Sequence, residues 1–161
     1  MAKYQTNFQV VTTNGSEMIE IRNPSGSGKN LEILKISVVA EIGFSIYDFQ
    51  RFDALATHAV APDPEPSQVD VFKWNPSHSS PVGQVWLGAV GAIAFGGTMD
   101  FHHDVQLDAS DAGDDGELVF GKYLDGEQVV MVPGTSARWE LPQNAQADYW
   151  IQILWQEVAS S

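Results

Sequence analysis

The sequence contains no cysteine among its 161 residues, and its 21 acidic residues are matched by only eight basic ones. Without cysteine, a disulfide framework, a zinc–thiolate site and a cysteine nucleophile are all excluded. The formal charge of −13 predicts repulsion from nucleic-acid phosphates and from anionic lipid. The imbalance is greatest in residues 81–161, which carry 12 acids and two bases, Lys122 and Arg138. We therefore expect no nucleic-acid partner and no membrane partner.

Long apolar runs are also missing. No run approaches the ~20 consecutive apolar residues of a membrane-spanning helix. Residues 1–7 lack the apolar run and the cleavage site of a signal peptide. The glycine- and alanine-rich run at residues 87–97 is too short to span a membrane, and we expect it to pack as a strand against nearby backbone. These absences predict a soluble single domain over residues 1–161 without an export signal.

What the sequence does contain is a repeated alternation of polar and apolar residues, broken at short intervals by turn residues. Period-two alternation of this kind is typical of strands in a sandwich or barrel. About eight to ten such strands suit two packed sheets, and we predict an all-β, antiparallel, two-sheet jelly-roll sandwich. The candidate strands span residues 8–11, 18–22, 31–42, 44–52, 69–74, 82–87, 117–123, 128–132, 137–141 and 149–158.

Two local patterns make finer predictions. The dipeptide Asn14-Gly15 predicts a hairpin between the first two strands, because both residues tolerate positive φ. In the third candidate strand, alternation places five apolar residues on one face: Leu34, Ile36, Val38, Ala40 and Ile42. We expect that face to point into the core.

The last candidate strand, residues 149–158, has two unlike faces. One face is wholly aromatic or aliphatic and is expected to join the core: Tyr149, Ile151, Ile153 and Trp155. The other face mixes Trp150 and Leu154 with glutamines, which suits a surface covered by a loop or by a neighbouring subunit. We predict that Trp150 and Leu154 lie at a subunit contact or beneath a long loop.

Two segments read as loops. Near residues 59–68, Pro62, Pro64 and Pro66 alternate with acidic residues, and this spacing forbids a central strand. The second loop, near residues 108–117, is rich in carboxylates of the kind that bind calcium: Asp108, Asp111, Asp114, Asp115 and Glu117.

The acidic loop does not fit an EF-hand. With Gly116 as the turn glycine, Gly113 occupies a ligand position and Lys122 stands where the bidentate glutamate belongs. A looser calcium loop stays open as an alternative, and a solvated acidic loop is the favoured interpretation.

The segment Ser25–Lys29 resembles part of a phosphate-binding loop. That motif needs a glycine five residues before the glycine of Gly-Lys and a serine or threonine after the lysine. Asn23 and Asn30 stand at those positions. We therefore expect the segment to join two strands and to bind no nucleotide.

Histidines offer little catalytic or metal-binding signal. His102-His103-Asp104 is the one histidine cluster, but neighbouring residues of a strand point to opposite faces, so the two imidazoles cannot readily share a metal. His58 and His78 lie in predicted loops without an evident partner. No nucleophile elbow of Gly-x-Ser-x-Gly form stands between a strand and a helix. We predict no enzymatic activity, no cofactor and no metal.

The five tryptophans admit two interpretations. They are Trp74, Trp86, Trp139, Trp150 and Trp155. Tryptophan can stack on sugar rings, or it can fill the core and anchor subunit contacts. We favour core and interface, because Trp139 and Trp155 share their strand faces with aliphatic residues.

Two segments resemble a known class of protein. Residues 21–33 form a strand, an Asn-Pro-Ser-Gly-Ser-Gly-Lys turn and a second strand. Residues 132–137, followed by 149–157 with their Trp-Gln-Glu ending, form a candidate closing hairpin. Both are similar to the corresponding parts of small trimeric jelly-roll virion proteins of tailed bacteriophages, of the head-decoration and minor structural type.

The resemblance implies a homotrimer located in the virion and made in the host cytoplasm. A head-decoration, or cement, protein would bind the major capsid protein non-covalently across several capsid subunits and stabilise the assembled shell. The resemblance transfers no catalytic residue. The alternative is a tail-fibre or receptor- or carbohydrate-binding β-sandwich module, which would expose an aromatic platform.

Overall fold

The computed structural model describes residues 1–12, 15–40, 49–103, 116–121, 129–143 and 148–161. Within these ranges the chain forms strands and no helix. The strands are β1 (Ala2–Val11), β2 (Glu17–Asn23), β3 (Lys29–Ala40), β4 (Phe49–Phe52), β5 (Thr57–His58), β6 (Ser67–Gln68), β7 (Phe72–Lys73), β8 (Gln84–Ala89), β9 (Ile93–Ala94), β10 (Met99–His103), β11 (Gly116–Gly121), β12 (Val129–Met131), β13 (Thr135–Leu141) and β14 (Asp148–Ala159).

The strands form two large antiparallel sheets that pack against each other. Sheet A has the order β11-β3-β14-β1-β7, and β12 also pairs with β3. Sheet B has the order β10-β4-β13-β2-β8-β6. The short strands β5 and β9 pair separately.

The pairing of the strands is nested. The first strand, β1, pairs with the last, β14, and β2 pairs with β13. Inside these pairs, β3 meets β11 and β4 meets β10. A long antiparallel hairpin wrapped into two sheets gives this arrangement, which is the jelly roll. The predicted all-β, antiparallel, two-sheet jelly-roll sandwich is confirmed.

The core lies between the sheets and follows the alternation of the sequence. The inward face of β14 is buried as predicted: Tyr149, Ile151, Ile153 and Trp155. Trp139 of sheet B is buried with them, together with Ile19 and Ile21 of β2. In sheet A the opposite face is left largely toward solvent, as the period-two pattern requires. In sheet B the outward side of β2 is covered as well, and Met18 and Glu20 are buried there.

The predicted core face of β3 is only partly correct. Leu154 pairs with Lys35, whereas the next residue, Trp155, pairs with Ile33, so Leu34 is an extra residue in the strand. This β-bulge shifts the alternation by one residue, and Ile33 and Ile36 both become buried while Leu34 is half-buried. The predicted single face running through Leu34 is therefore wrong. Ile42 lies outside the described residues.

The predicted hairpin at Asn14-Gly15 is also wrong. β1 lies in sheet A between β14 and β7, and β2 lies in sheet B between β13 and β8. The turn therefore joins the two sheets, as the nested topology requires. Gly15 donates its amide to the carbonyl of Thr12 at 3.3 Å, whereas Asn14 lies outside the described residues.

The proline-rich segment lies mainly on the surface. Residues 60–65 are exposed, and the Ala61–Pro62 peptide bond is cis. The segment ends in β6, which pairs with β8 at the edge of sheet B. Residues 108–115 of the predicted acidic loop lie outside the described residues, and its last two residues begin β11.

Candidate functional site

The outward surface of sheet A holds the two residues that the sequence singled out. We call it the Trp150 face and define it as the outward residues of β1, β3 and β14: Lys3, Gln5, Asn7, Gln9, Val11, Asn30, Glu32, Lys35, Ser37, Val39, Asp148, Trp150, Gln152, Leu154, Gln156 and Val158. Trp150 is 40% exposed and lies between Gln9 and Val39 of the neighbouring strands. Leu154 is half-buried between Gln5 and Lys35. Both side chains therefore point away from the core.

The Trp150 face differs electrostatically from the chain as a whole. Its charged residues are Lys3, Lys35, Glu32 and Asp148, which sum to zero in a protein whose formal charge is −13. Beside Trp150 the surface forms a hollow of about 300 Å³, also lined by Val39. A surface whose charges balance locally, with a large apolar side chain and an adjoining hollow, can contact a protein partner with little local charge repulsion.

Further aromatic side chains lie at the adjoining edge of sheet A. Phe72 of β7 pairs with Gln5 and is 51% exposed. Trp74 follows β7, is 57% exposed, and donates its indole N–H to the Gln5 side chain at 3.1 Å. Phe72 and Trp74 therefore add two exposed aromatic side chains at the edge beside the Trp150 face.

A cavity of about 550 Å³ opens on the outward side of sheet B. Strands β2 and β8 form one wall of the cavity through Arg22, Gln84 and Trp86. The segment around β5 forms the opposite side through His58. A second apolar cluster holds this segment in place, with Met18, Ala56 and Ile93 buried and Trp86 packed against them. We call this site the Trp86 cavity.

A fully buried carboxylate, Glu20, organises the polar side chains beside the cavity. One of its oxygens lies 2.5 Å from Nε2 of His58, and the other accepts the hydroxyl of Ser136 at 2.6 Å. Nη1 of Arg22 lies 3.4 Å from the same carboxylate and donates to the carbonyl of Ala56 at 3.0 Å. Because an ionised carboxylate only accepts hydrogen bonds, we assign the proton of this contact to Nε2 of His58.

The order of these groups does not suit nucleophilic catalysis. In a serine-based triad the histidine stands between the serine and the acid, so that it can take the hydroxyl proton. Here the acid, Glu20, stands between Ser136 and His58. Ser136 is also fully buried. The network therefore serves to hold side chains in place, because Glu20 fixes Arg22 and His58 at the cavity.

Trp86 completes the cavity wall. Its indole ring meets the His58 ring edge-on at 4.6 Å between centroids. Its N–H donates to the Gln84 side chain at 3.0 Å. Among the described residues that line the cavity there is no aspartate or glutamate. The site thus presents an aromatic ring, a guanidinium, an imidazole and an amide.

The two segments that carry the phage-protein resemblance meet at one end of the sandwich. The buried Asn23 side chain donates to the carbonyls of Lys29 and Met131, both at 2.8 Å, and its backbone carbonyl accepts the amide of Gly134. Gly26 and Gly28 adopt φ of 74° and 68°, which the turn between β2 and β3 requires. As expected, Ser25–Lys29 joins two strands.

The same end is tied to the last strand by Glu157, whose side chain is fully buried. It accepts the backbone amides of Val82 and Gly83 at 2.7 and 3.0 Å. Its other oxygen lies 3.2 Å from the Lys29 ammonium. The lysine of the would-be phosphate loop therefore forms an internal ion pair.

Sequence reasoning was wrong about the surroundings of His58, which it placed in a loop without a partner. His58 belongs to β5 and contacts Glu20, Arg22 and Trp86. Glu20 and Arg22 were missed because alternation placed them on the outer face of β2, where polar residues are ordinary. The one sequence signal that this face is covered was the apolar residue Met18, which lies on the same face of β2 as Glu20 and Arg22.

The other histidines are separate from that site. His78 lies in the loop after β7, with its ring 6.4 Å from that of Tyr4. His102 is an exposed residue of β10, and Asp104 lies outside the described residues. In the part of the chain that the structure describes, no group of three His, Asp or Glu side chains could hold a metal ion.

Comparison with family models, with curated proteins and with solved structures gives no match to this chain. Among the described residues, no helix is long and apolar enough to cross a membrane. The structure defines the protein as an antiparallel jelly-roll sandwich, with the Trp150 face on sheet A and a polar cavity on sheet B.

Proposed function

We propose that this protein is a structural component of a bacteriophage virion, a head-decoration protein that binds the assembled capsid as a homotrimer. It engages the major capsid protein non-covalently across neighbouring subunits, and it acts without enzymatic activity or a cofactor. Support comes from the jelly-roll topology and from the contact between the two segments that resemble phage virion proteins, where the amide of Gly134 donates to the carbonyl of Asn23. Multivalent engagement then supplies avidity without a large contact on any one subunit.

The observation that carries the proposal is the Trp150 face. The protein's charge of −13 opposes self-association, and this face is the described surface where Lys3 and Lys35 offset Glu32 and Asp148. Trp150 and Leu154 supply the large apolar side chains that anchor protein interfaces. We place the trimer contact here, which leaves the acidic remainder of the surface to keep the free trimer soluble and away from the packaged genome.

The purified protein is expected to be a trimer at micromolar concentration, and Trp150→Ala should weaken the trimer. A tryptophan anchor at an interface contributes about 2 kcal/mol or more, so trimer dissociation should shift by at least about 30-fold. Light scattering and sedimentation equilibrium measure both the mass and the shift.

The matched control is Met99→Ala, which removes an exposed apolar side chain from β10 at the edge of sheet B. We expect this variant to dissociate like the unmodified protein. A monomer at micromolar concentration would contradict the trimer, and an unchanged dissociation constant for Trp150→Ala would remove that residue from the interface.

A second candidate function is a tail-fibre or receptor-binding module. The observation that favours it is the exposed aromatic pair Phe72 and Trp74 at the edge of sheet A, since such a pair can form a recognition platform. Neighbouring genes discriminate between the two candidates: capsid and portal genes favour decoration, and tail-fibre genes favour adhesion.

A further inference from the structure

We propose that the Trp86 cavity binds a pyranose sugar that carries a carboxylate. The cavity lies on sheet B, whereas the proposed trimer contact lies on sheet A, so the site would stay open in the assembled protein. The inference goes beyond capsid decoration, and it does not depend on it. It rests on three features of the cavity: its size, its fixed polar groups and the absence of acidic side chains from its described lining.

The size of the cavity fits a small ligand. Its volume of about 550 Å³ falls within the range of roughly 300–1,000 Å³ that is usual for small-molecule sites. The indole of Trp86 provides a flat wall held by a hydrogen bond to Gln84 and by the edge of His58. A rigid aromatic wall beside polar groups is what a sugar ring needs, because a pyranose has an apolar face and a rim of hydroxyls.

The polar groups are fixed before a ligand arrives. All the hydrogen bonds described for the Arg22 guanidinium use Nη1, which donates to Glu20 and to the carbonyl of Ala56. Nε2 of His58 lies 3.3 Å from Nη1, but with its proton donated to Glu20 it does not accept from Arg22. Nε and Nη2 therefore keep N–H groups for a ligand, and two parallel N–H groups match the two oxygens of a carboxylate. Glu20, fully buried beneath, prevents the guanidinium from swinging away.

The lining of the cavity suits an acidic sugar, although the buried Glu20 beneath Arg22 offsets the charge of the guanidinium. The protein carries 21 acids, yet none of the described residues that line this cavity is acidic. An anionic ligand therefore meets Arg22 here, where elsewhere on this chain it would more often meet carboxylates. Gln84 supplies both a donor and an acceptor for ring hydroxyls.

The test titrates the full-length protein with matched pairs of methyl glycosides, glucuronide against glucoside and galacturonide against galactoside. The members of each pair differ only in a carboxylate or a hydroxymethyl group at C6. Binding is followed by NMR through the indole N–H signals of the tryptophans. We expect a uronide to shift the Trp86 signal at concentrations up to about 10 mM, and to bind at least tenfold more tightly than its neutral partner.

Two variants assign the site. Gln84→Ala changes a half-buried residue of the wall, and Trp86→Phe keeps an aromatic side chain in the apolar cluster, so both should fold. Each should weaken uronide binding at least fivefold, followed for Trp86→Phe through the ligand's own NMR signals because that variant lacks the Trp86 indole. Met99→Ala on β10, outside the cavity lining, should leave binding unchanged. Circular dichroism verifies the fold of each variant.

Several outcomes would overturn the inference. They are no shift of the Trp86 signal with any glycoside, equal affinity for the neutral and acidic members of a pair, and equal shifts produced by acetate alone. A response confined to the Trp74 or Trp150 signals would move binding away from this cavity. Because the assay uses no capsid, its failure and the failure of capsid binding are separate results.

Discussion

Replacing Trp155 by alanine is expected to lower the free energy of unfolding by about 3–5 kcal/mol, the range for removing a large aromatic side chain from a packed core. Trp155 is 1% exposed and belongs to the main core cluster, with its ring centroid 6.1 Å from that of Tyr4. The backbone of Gly83 packs closely against the indole, since a Cβ placed on Gly83 would lie 2.9 Å from the indole nitrogen. Removing the indole therefore leaves a cavity beside this backbone. Urea denaturation at low protein concentration measures the change.

The size of that change matters because a domain of this kind has only about 5–15 kcal/mol of stability in total. We expect the melting temperature to fall by about 10 °C, given about 2–4 °C per kcal/mol at this chain length. Trp74→Ala is the matched control, because Trp74 is 57% exposed and should cost less than about 1 kcal/mol. A loss below 1 kcal/mol for Trp155→Ala would contradict the described core.

Replacing Glu157 by alanine is expected to cost about 3 kcal/mol. The substitution leaves the amides of Val82 and Gly83 without their acceptor, and it removes the ion pair with Lys29. Gly83 is buried, so water does not readily replace the lost hydrogen bond. Lys29 is partly exposed and regains hydration, which is why the loss should stay near 3 kcal/mol.

Glu157→Gln separates the two contributions. Glutamine keeps an oxygen that accepts the two amides but loses the charge that Lys29 faces, so we expect a loss of about 1 kcal/mol. Hydrogen exchange adds a local readout: the amides of Val82 and Gly83 should exchange faster in Glu157→Ala than in Glu157→Gln. Equal stabilities and equal exchange rates for the two variants would show that the hydrogen bonds of Glu157 contribute little.

The elements predicted best from the sequence are those whose alternation is long and unbroken. β14 alternates through the eight residues 148–155, so its core face and the outward direction of Trp150 follow from period two alone. The strand count and the turn residues between strands indicated a jelly roll, and the nested pairing bears this out. In these places local chemistry and the global fold agree.

The features that sequence reasoning missed depend on contacts between distant segments. The bulge at Leu34 follows from the pairing between β3 and β14, and the residues around Leu34 contain no sequence signal that predicts it. His58 meets a carboxylate 38 residues earlier in the chain, so the loop composition around it could not reveal a partner. The Trp86 cavity likewise exists only because the segment with β5 folds back over sheet B.

Capsid binding tests the central claim most directly. Shells assembled from the major capsid protein of the same genome, without this protein, would be mixed with it, sedimented, and heated. Decoration predicts that the protein sediments with the shells in a saturable way and that their disruption temperature rises, because a ligand that binds only the assembled lattice stabilises it. Protein that stays in the supernatant, with an unchanged disruption temperature, would contradict the proposed function.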